Sequence, residues 1–597
     1  MKILSLLLVH IFQLTAQEKP NILWITSEDN SPHWLGCYGN AQAKTPSLDS
    51  LAKEGVLFER AYSNAPVCAV ARCTILLGVY APTLGTQHMR SRHAIPDKFR
   101  PNVEYLRAAG YYCTNNSKTD YNFKGSDNSY WDESSVTAHY KNRPAGKPFY
   151  AVFNLFESHE SSLFKNKPLE PRRIHPSDVV LPPYLPDLPE IRKDHARYLD
   201  RIEDMDTQVG KILDELEKSG LSENTIVLYA ADHGGVLPRG KRYLEETGIK
   251  VPLIIRIPKK FQHLSPFTPG QRVDEPVSFV DISPTFLSLA GADIPAYMQG
   301  RPFLGDKRVK PAADEMEFLY ADRFDELYGM RRGLTDGKWK YIRNFNPHLP
   351  NAPFSFYQFG QPGWVAYQKA WKEGNLSGIH QNLWQAPSPT EQLYDLTADP
   401  WEIKNLAADP AYSEKLAMLR QRLKSTMIEI HDTGFIPEPL FEKLTSGSTI
   451  ANHVQHPAFD IQKIADLAFS ASAGNLTDLP TLKAAIASQD LVTRYWGAIG
   501  FCVLGNKATA ECNSRTPLLK DNNTAIRITA AEALFLSGHQ KAATAALLAD
   551  VNSDMDESSL LYLLNTLRRL KLTDQLSKDW VKEKSKKGGI AQRFIKE

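Results

Sequence analysis

A cysteine followed four residues later by an arginine, Cys68-Ala69-Val70-Ala71-Arg72, opens an apolar run that closes at Gly78. The run suits a helix, so Cys68 stands at a helix N-terminus, where backbone N–H groups and the helix dipole favour an anion. Such a position stabilises a thiolate and equally suits an oxyanion bound beside an oxygen nucleophile. Acidic residues recur where apolar strand patterns stop: Glu28-Asp29 after residues 20–27, and Asp232-His233-Gly234-Gly235 after residues 225–231. Adjacent carboxylates repel unless a cation joins them, so a hard divalent metal is one reading of Glu28, Asp29 and Asp232. Capping of the following segment is the other. His233 is a weaker ligand for an oxygen-preferring ion. His159 stands just past a third apolar strand, residues 148–156, where an imidazole can hand a proton to a leaving oxygen near neutral pH. His88, in the loop of residues 85–90, is a further pocket candidate.

These residues need a frame that gathers strand ends. Strand patterns at residues 20–27, 110–114, 148–156, 225–231 and 251–256 alternate with helical ones. Helices are expected from Pro46, from Cys68, over residues 195–219 and from Asp281 to near Gly291. That alternation argues for an α/β domain with a parallel-centred sheet, whose strand carboxyl ends build sites. From about residue 311 the pattern turns to antiparallel strands near residues 318–320, 330–334 and 339–343, then a helix at 413–430. The loop of residues 322–326 and the Trp/Tyr-rich insert of residues 347–389 read as substrate-facing. From about residue 452 the chain becomes Ala/Leu-rich and repeats itself, residues 490–505 against 523–538. Arg494 then falls on Arg527, Phe501 on Leu534 and Gly505 on Gly538. A period of this size fits stacked helical pairs of the HEAT-like kind.

The Cys68 stretch resembles the sulfatase signature, Cys-x-Pro-x-Arg leading into an apolar helix, with Val70 where that family usually has Pro or Ala. Residues 44–49, Glu54-Gly55-Val56, Lys118, Gly240-Lys241-Arg242 and Leu393-Tyr394-Asp395-Leu396 extend the resemblance over roughly residues 20–410. It implies an alkaline-phosphatase/sulfatase-like fold: a large mixed, mostly parallel sheet flanked by helices, with a small antiparallel α+β subdomain. The C-terminal all-α HEAT-like repeats lie outside it. The implied domains are a signal peptide at 1–17, a catalytic domain at 18–310, the subdomain at 311–440 and the helical repeats at 452–597.

What the resemblance implies for the site is specific. Cys68, oxidised to formylglycine (3-oxoalanine) by a formylglycine-generating enzyme, would be the nucleophile. Glu28, Asp29, Cys68, Asp232 and His233 would surround one divalent cation, Ca2+, Glu28 replacing the family's Asp. Arg72, Lys118 and Lys241 would hold the sulfate, and His159 would protonate the departing oxygen. Asp120 stands where the family has a histidine, and that role is not carried over. The Asp322-Arg323 and Lys340-Tyr341-Ile342-Arg343-Asn344 elements look most like the N-sulfoglucosamine sulfohydrolase subgroup. Arg323 and Arg332 are then expected to pair with a uronate or further sulfate on a sulfated poly- or oligosaccharide. The alternatives are a phosphate or phosphonate ester hydrolase of the same superfold, and an inactive sulfated-glycan-binding protein.

Composition narrows the classes. A formal net charge of +2 argues against a nucleic-acid binder, which needs a concentrated basic face, but leaves room for a local basic pocket. Lys2, the apolar residues 3–9 and Thr15-Ala16 form an export signal, which places the mature protein in the periplasm or outside the cell. No other run reaches membrane-spanning length. Six cysteines without C-x-x-C spacing exclude a zinc cluster, and a Cys68–Cys73 disulfide is disfavoured because the two point to different helix faces. The helical repeats are a candidate surface for protein contacts.

Overall fold

The computed structural model describes residues 18–126, 128–167 and 170–584; the expected export signal, residues 1–17, lies outside them. Eight strands form the main sheet, in the order Glu133–Ser134, Tyr112–Asn116, Phe149–Leu155, Asn21–Ser27, Thr225–Ala231, Leu253–Arg256, Val56–Phe58, Arg272–Val273. The central strand Asn21–Ser27 runs parallel to both neighbours, Phe149–Leu155 and Thr225–Ala231. Leu253–Arg256 is antiparallel to both of its neighbours, so the sheet is mixed and mostly parallel.

Strand periodicity explains the layering. Ile22, Trp24, Tyr150, Val152, Ile226 and Leu228 point to one face, and pack on the helices Cys68–Leu77 and Ile282–Leu289. Leu23, Ile25, Ala151, Phe153, Val227 and Tyr229 point to the other, against the long helix Pro189–Lys218. A sheet covered on both faces needs continuous apolar strands, and these are fully buried along their length.

A second, four-stranded antiparallel sheet runs Glu317–Ala321, Arg331–Thr335, Trp339–Asn344, Glu391–Asp395. Its apolar residues share one core with the helix Ser413–Glu429, the start of the Cys68 helix and the C-terminal helices. In that C-terminal region the repeated segments are the helices Leu491–Leu504 and Thr524–Leu536. Arg494 grips Asp521 and the Ser488 carbonyl, and Arg527 grips Asp550 and the Asp521 carbonyl, so one set of contacts recurs a repeat later. The helices dock firmly. Trp496 Nε1 donates to the Phe435 carbonyl at 2.7 Å, and Arg343 Nη2 donates to Phe469 O and Ser472 Oγ, both at 2.7 Å.

The aromatic insert meets the expectation of a substrate-facing loop only in part: Tyr357 lies against His159, ring centroids 6.4 Å apart, while its other large rings turn inward. Within it the helix Pro362–Lys372 buries Trp364 and Tyr367 beside Trp384 and the long helix. These rings interlock with one another, their centroids about 6 Å apart, and their area goes into the core. All six cysteines are free. Among the described residues no helix is long and apolar enough to cross a membrane.

Candidate active site

Three strand ends and one helix start deliver the site. Glu28 and Asp29 follow Asn21–Ser27, His159 follows Phe149–Leu155, and Asp232 with His233 follows Thr225–Ala231. Cys68 is the first residue of its helix, which Gly78 ends in the left-handed conformation, φ 63°. Beyond Asp232, Gly234 has to be glycine, because a Cβ there would lie 2.2 Å from the Thr247 carbonyl oxygen. That close approach folds residues 234–241 back over the site, where Lys241 N donates to Gly235 O at 2.6 Å.

Three carboxylates, all fully buried, face three cations. Glu28 takes Arg72 on one oxygen and Lys118 on the other. Burial pushes the Glu28 carboxyl up, and Lys118 with Arg72 overcome it, holding it far below the ordinary range. Both Asp29 carboxylate oxygens accept from Lys241 Nζ, at 3.0 and 2.9 Å, and Oδ1 lies 2.8 Å from His233 Nε2. Asp232 Oδ1 accepts the Asp29 amide at 3.0 Å. Its Oδ2 is buried without a hydrogen-bond partner, 3.4 Å from Arg72 Nε. Burial and then the Glu28 charge push the Asp232 carboxyl above its usual value.

That orphaned oxygen tests whether a metal fits. His233 Nδ1 lies 3.0 Å from the Gly234 carbonyl, which fixes the proton there and leaves the Nε2 lone pair facing Asp29 and Asp232. Burial lowers the His233 pKa, and Asp232 and Asp29 outweigh it, raising it to about 10. A field that drives a buried imidazole to take a proton is one that a divalent cation would satisfy in the proton's place. Donor atoms of Cys68, Asp232 and His233 lie within 4.8 Å of one another, as do those of Glu28, Asp29 and His159. Asp232 and Asp29, joined by His233, therefore offer the donors a divalent cation needs.

The side chain of Cys68 has its own partners. Its Sγ lies 3.4 Å from Asp120 Oδ2, and Arg90 Nη2 is 3.1 Å from that oxygen and 3.9 Å from Sγ. Arg72 is aimed by Asn154, whose Oδ1 accepts its Nη1 at 2.6 Å while its Nδ2 donates to Asn115. His159 Nδ1 lies 3.3 Å from the Ser161 amide and 2.8 Å from its hydroxyl, and Nε2 lies 3.5 Å from Lys241 Nζ, facing the site. Burial and Lys241 lower the His159 pKa. Glu160 ties the rim together, accepting Lys241 at 2.8 Å and both arms of Arg242 at 2.9 Å. Asp29, Asp120 and Arg242 all hold φ between 46° and 81°, a strained backbone concentrated at one place.

The structure thus gathers Glu28, Asp29, Cys68, Arg72, Lys118, His159, Asp232, His233 and Lys241. It does not bring His88, Arg323 or Arg332 to an open subsite. Arg323 lies buried with its fork on Glu438, and its amide donates to His88 Nδ1 at 3.4 Å. Burial pushes His88 down to about 3, so it is a neutral core imidazole. Arg332, wholly buried, is clamped between Asp322 and Asp432. Each arginine spends its donors on the scaffold, which removes the expected uronate contacts. Sequence reasoning missed Asp120 as the cysteine's neighbour, Arg90, Asn154 and Glu160. Only Asp120 carried a local signal, two residues after Lys118.

Residues 20–292 match the family model described as Sulfatase, and residues 239–348 match N-sulphoglucosamine sulphohydrolase, C-terminal. The chain is 36% identical over 500 residues to an ulvan-active sulfatase of Formosa agariphila, a match covering 75% of this chain and 82% of that one. It is 26% identical over 474 residues to N-sulphoglucosamine sulphohydrolase of Homo sapiens, covering 69% and 91%. In structure it is similar to a 2-O GAG sulfatase, with a TM-score of 0.53 and 19% identity over 70% of this chain and 94% of that one. At that identity the likeness speaks for the fold alone.

Proposed function

This chain belongs to the sulfatase family of sulfuric ester hydrolases, and we propose that it is exported and desulfates a sulfated polysaccharide or its oligosaccharides with a nucleophile derived from Cys68. One observation carries the reading: Asp232 and His233 lie beside Cys68 Sγ, Asp29 adjoins both, and Arg72, Lys118 and Lys241 pair with the buried carboxylates Glu28 and Asp29. The names of the relatives, ulvan-active and N-sulphoglucosamine, support a sulfated-glycan substrate with an O- or N-linked sulfate. The apolar, Lys-led residues 1–17 support export. We also read residues 18–310 as the catalytic domain, 311–440 as its subdomain and 452–597 as a HEAT-like array.

Glu28, Asp29, Asp232 and His233 would hold one divalent cation, and the oxygen-rich set favours calcium. Such a cation polarises a sulfate oxygen and lowers the cost of charge beside residue 68. Formylglycine made from Cys68 supplies, as its hydrate, an oxygen nucleophile at this position. The chain's own residues do the rest. Arg72, Lys118 and Lys241 orient the sulfate and neutralise charge that grows on its oxygens, in a cleft where burial strengthens each contact. Asp29 and Glu160 both hold Lys241 Nζ, so it need not reorganise. His159, once protonated, would donate from Nε2 to the leaving oxygen. A bound sulfate adds negative charge beside it, which counters Lys241 and raises its proton affinity. Asp120 Oδ2, held by Arg90, is placed to take a proton from the side chain of residue 68.

The test is hydrolysis of an aryl sulfate against an aryl phosphate by full-length protein made with a formylglycine-generating enzyme. Faster turnover of the sulfate, lost in Asp232→Ala that still folds, supports the reading. Preference for the phosphate overturns it.

A further inference from the structure

A second group of metal-ligating side chains gathers where the helical region meets the main body. His348 follows the strand Trp339–Asn344, Cys502 sits on the helix Leu491–Leu504, and Glu532 sits on the helix Thr524–Leu536. One donor atom from each lies within 4.8 Å of the other two. All three side chains are buried: that of His348 is 5% exposed, that of Glu532 not at all, and Cys502 is 2% exposed.

Their hydrogen bonding is incomplete. His348 Nδ1 is buried without a partner, and Nε2 stands 3.8 Å from Glu532 Oε1, beyond hydrogen-bond reach. Glu532 Oε1 accepts Arg569 Nε at 2.8 Å, together with Nη2 of the same fork. Its Oε2 is left buried and unpartnered. Cys502 Sγ makes a weak bond to the Thr529 carbonyl at 3.4 Å. Two orphaned polar atoms, on two members of one triad, are a cost that a bound cation recovers. Burial holds the His348 imidazole down to about 4, so it is neutral and keeps a lone pair to give.

The donor types select the ion. A thiol, an imidazole and one carboxylate oxygen suit zinc, whereas calcium and magnesium take oxygen donors. We propose that His348, Cys502 and Glu532 bind one structural zinc ion, which fastens the helical region to the segment that opens the aromatic insert. On binding, the Cys502 thiol gives its proton to solvent and a zinc–sulfur bond forms in its place. The site uses a single cysteine and draws its other donors from distant segments, so no cysteine spacing announces it.

Metal binding by the full chain tests this. Excess calcium is kept present to occupy the oxygen-rich site, and Cys68→Ser removes the only thiol there. Cobalt added to Cys68→Ser should give an intense thiolate-to-metal absorption band, and zinc should displace it and raise the thermal midpoint. In Cys68→Ser/Cys502→Ser both the band and the zinc-induced shift should vanish. His348→Gln, in the Cys68→Ser background, keeps the thiol and the Arg569 pair, and should weaken cobalt binding at least about tenfold; it decides the matter should the double serine variant not fold. Absence of the band in Cys68→Ser, its survival without Cys502, or unchanged cobalt affinity in His348→Gln overturns the proposal.

Discussion

Truncating Trp496 to alanine should unfold the whole molecule more readily, although the residue lies far from Cys68 in sequence. Its indole is 1% exposed, meets the edge of Phe345, and donates Nε1 to the Phe435 carbonyl at 2.7 Å. Removing a core tryptophan costs about 3–5 kcal/mol, and leaving a buried carbonyl unpaired adds about 1–3 kcal/mol, giving about 4–8 kcal/mol. That is comparable with the total stability of a domain, about 5–15 kcal/mol. Trp496→Phe keeps most of the packing and loses the hydrogen bond, so its cost should fall near the smaller figure alone. Urea unfolding followed by far-UV circular dichroism, and by loss of aryl sulfate turnover, reads both ends of the molecule. Because Phe345, Phe435, Phe469 and Trp496 share one core, the two probes should shift together in Trp496→Ala. Loss of helical signal with turnover intact, or a cost under about 1 kcal/mol, would refute the claim of a common core.

Deleting residues 452–597 should, for the same reason, give insoluble protein rather than a free catalytic unit, as a solubility assay after expression would show. Asp232→Asn should fold yet lose calcium-induced stabilisation, which for the wild type at a hundredfold excess over Kd is about 2.7 kcal/mol in a thermal shift. Lys241→Ala should lower kcat on an aryl sulfate by about 10²–10³-fold, since a preorganised charge at the sulfate is lost. Arg323→Ala leaves Glu438 buried without its partner and should cost about 3–5 kcal/mol. Burial raises the Glu438 pKa, but Arg323 holds it well below the ordinary value. The stability from that pairing is present above the unfolded carboxyl pKa and lost as pH falls toward the folded one. The gap between wild type and Arg323→Ala should therefore narrow as pH falls below about 4.5, as denaturation at a series of acid pH values would report.

Much of the catalytic half was legible because its signals are local. An apolar strand that stops at Glu28-Asp29 or at Asp232-His233 states both its burial and where its last residue points. Cys68 and Arg72, one helical turn apart, share a face by geometry alone. Arg323 was misread for the opposite reason: its partner Glu438 lies 115 residues on, and nothing in its own surroundings announces an acid. Trp364 and Trp384 show the same limit, since composition cannot distinguish a ring stacked on a sugar from one stacked on Tyr367. Asp120 and Arg90 reach Cys68 only after two separate loops converge on the start of its helix. The repeat at residues 490–538 was visible as pattern; its docking against Phe345 and Phe435 was not, because those contacts cross more than sixty residues.

The central claim is that residue 68 is the reacting group of a sulfatase. Peptide mass spectrometry of the protein purified from its native host, or made with a formylglycine-generating enzyme, tests this most directly. The tryptic peptide containing position 68 should carry an aldehyde in place of the thiol, confirmed by reaction with a hydrazide. Cys68→Ser made in the same way should show neither the aldehyde nor aryl sulfate turnover. A peptide bearing only thiol in an enzyme that still cleaves sulfate esters would contradict the account, as would an aldehyde-bearing enzyme that turns over no sulfated substrate.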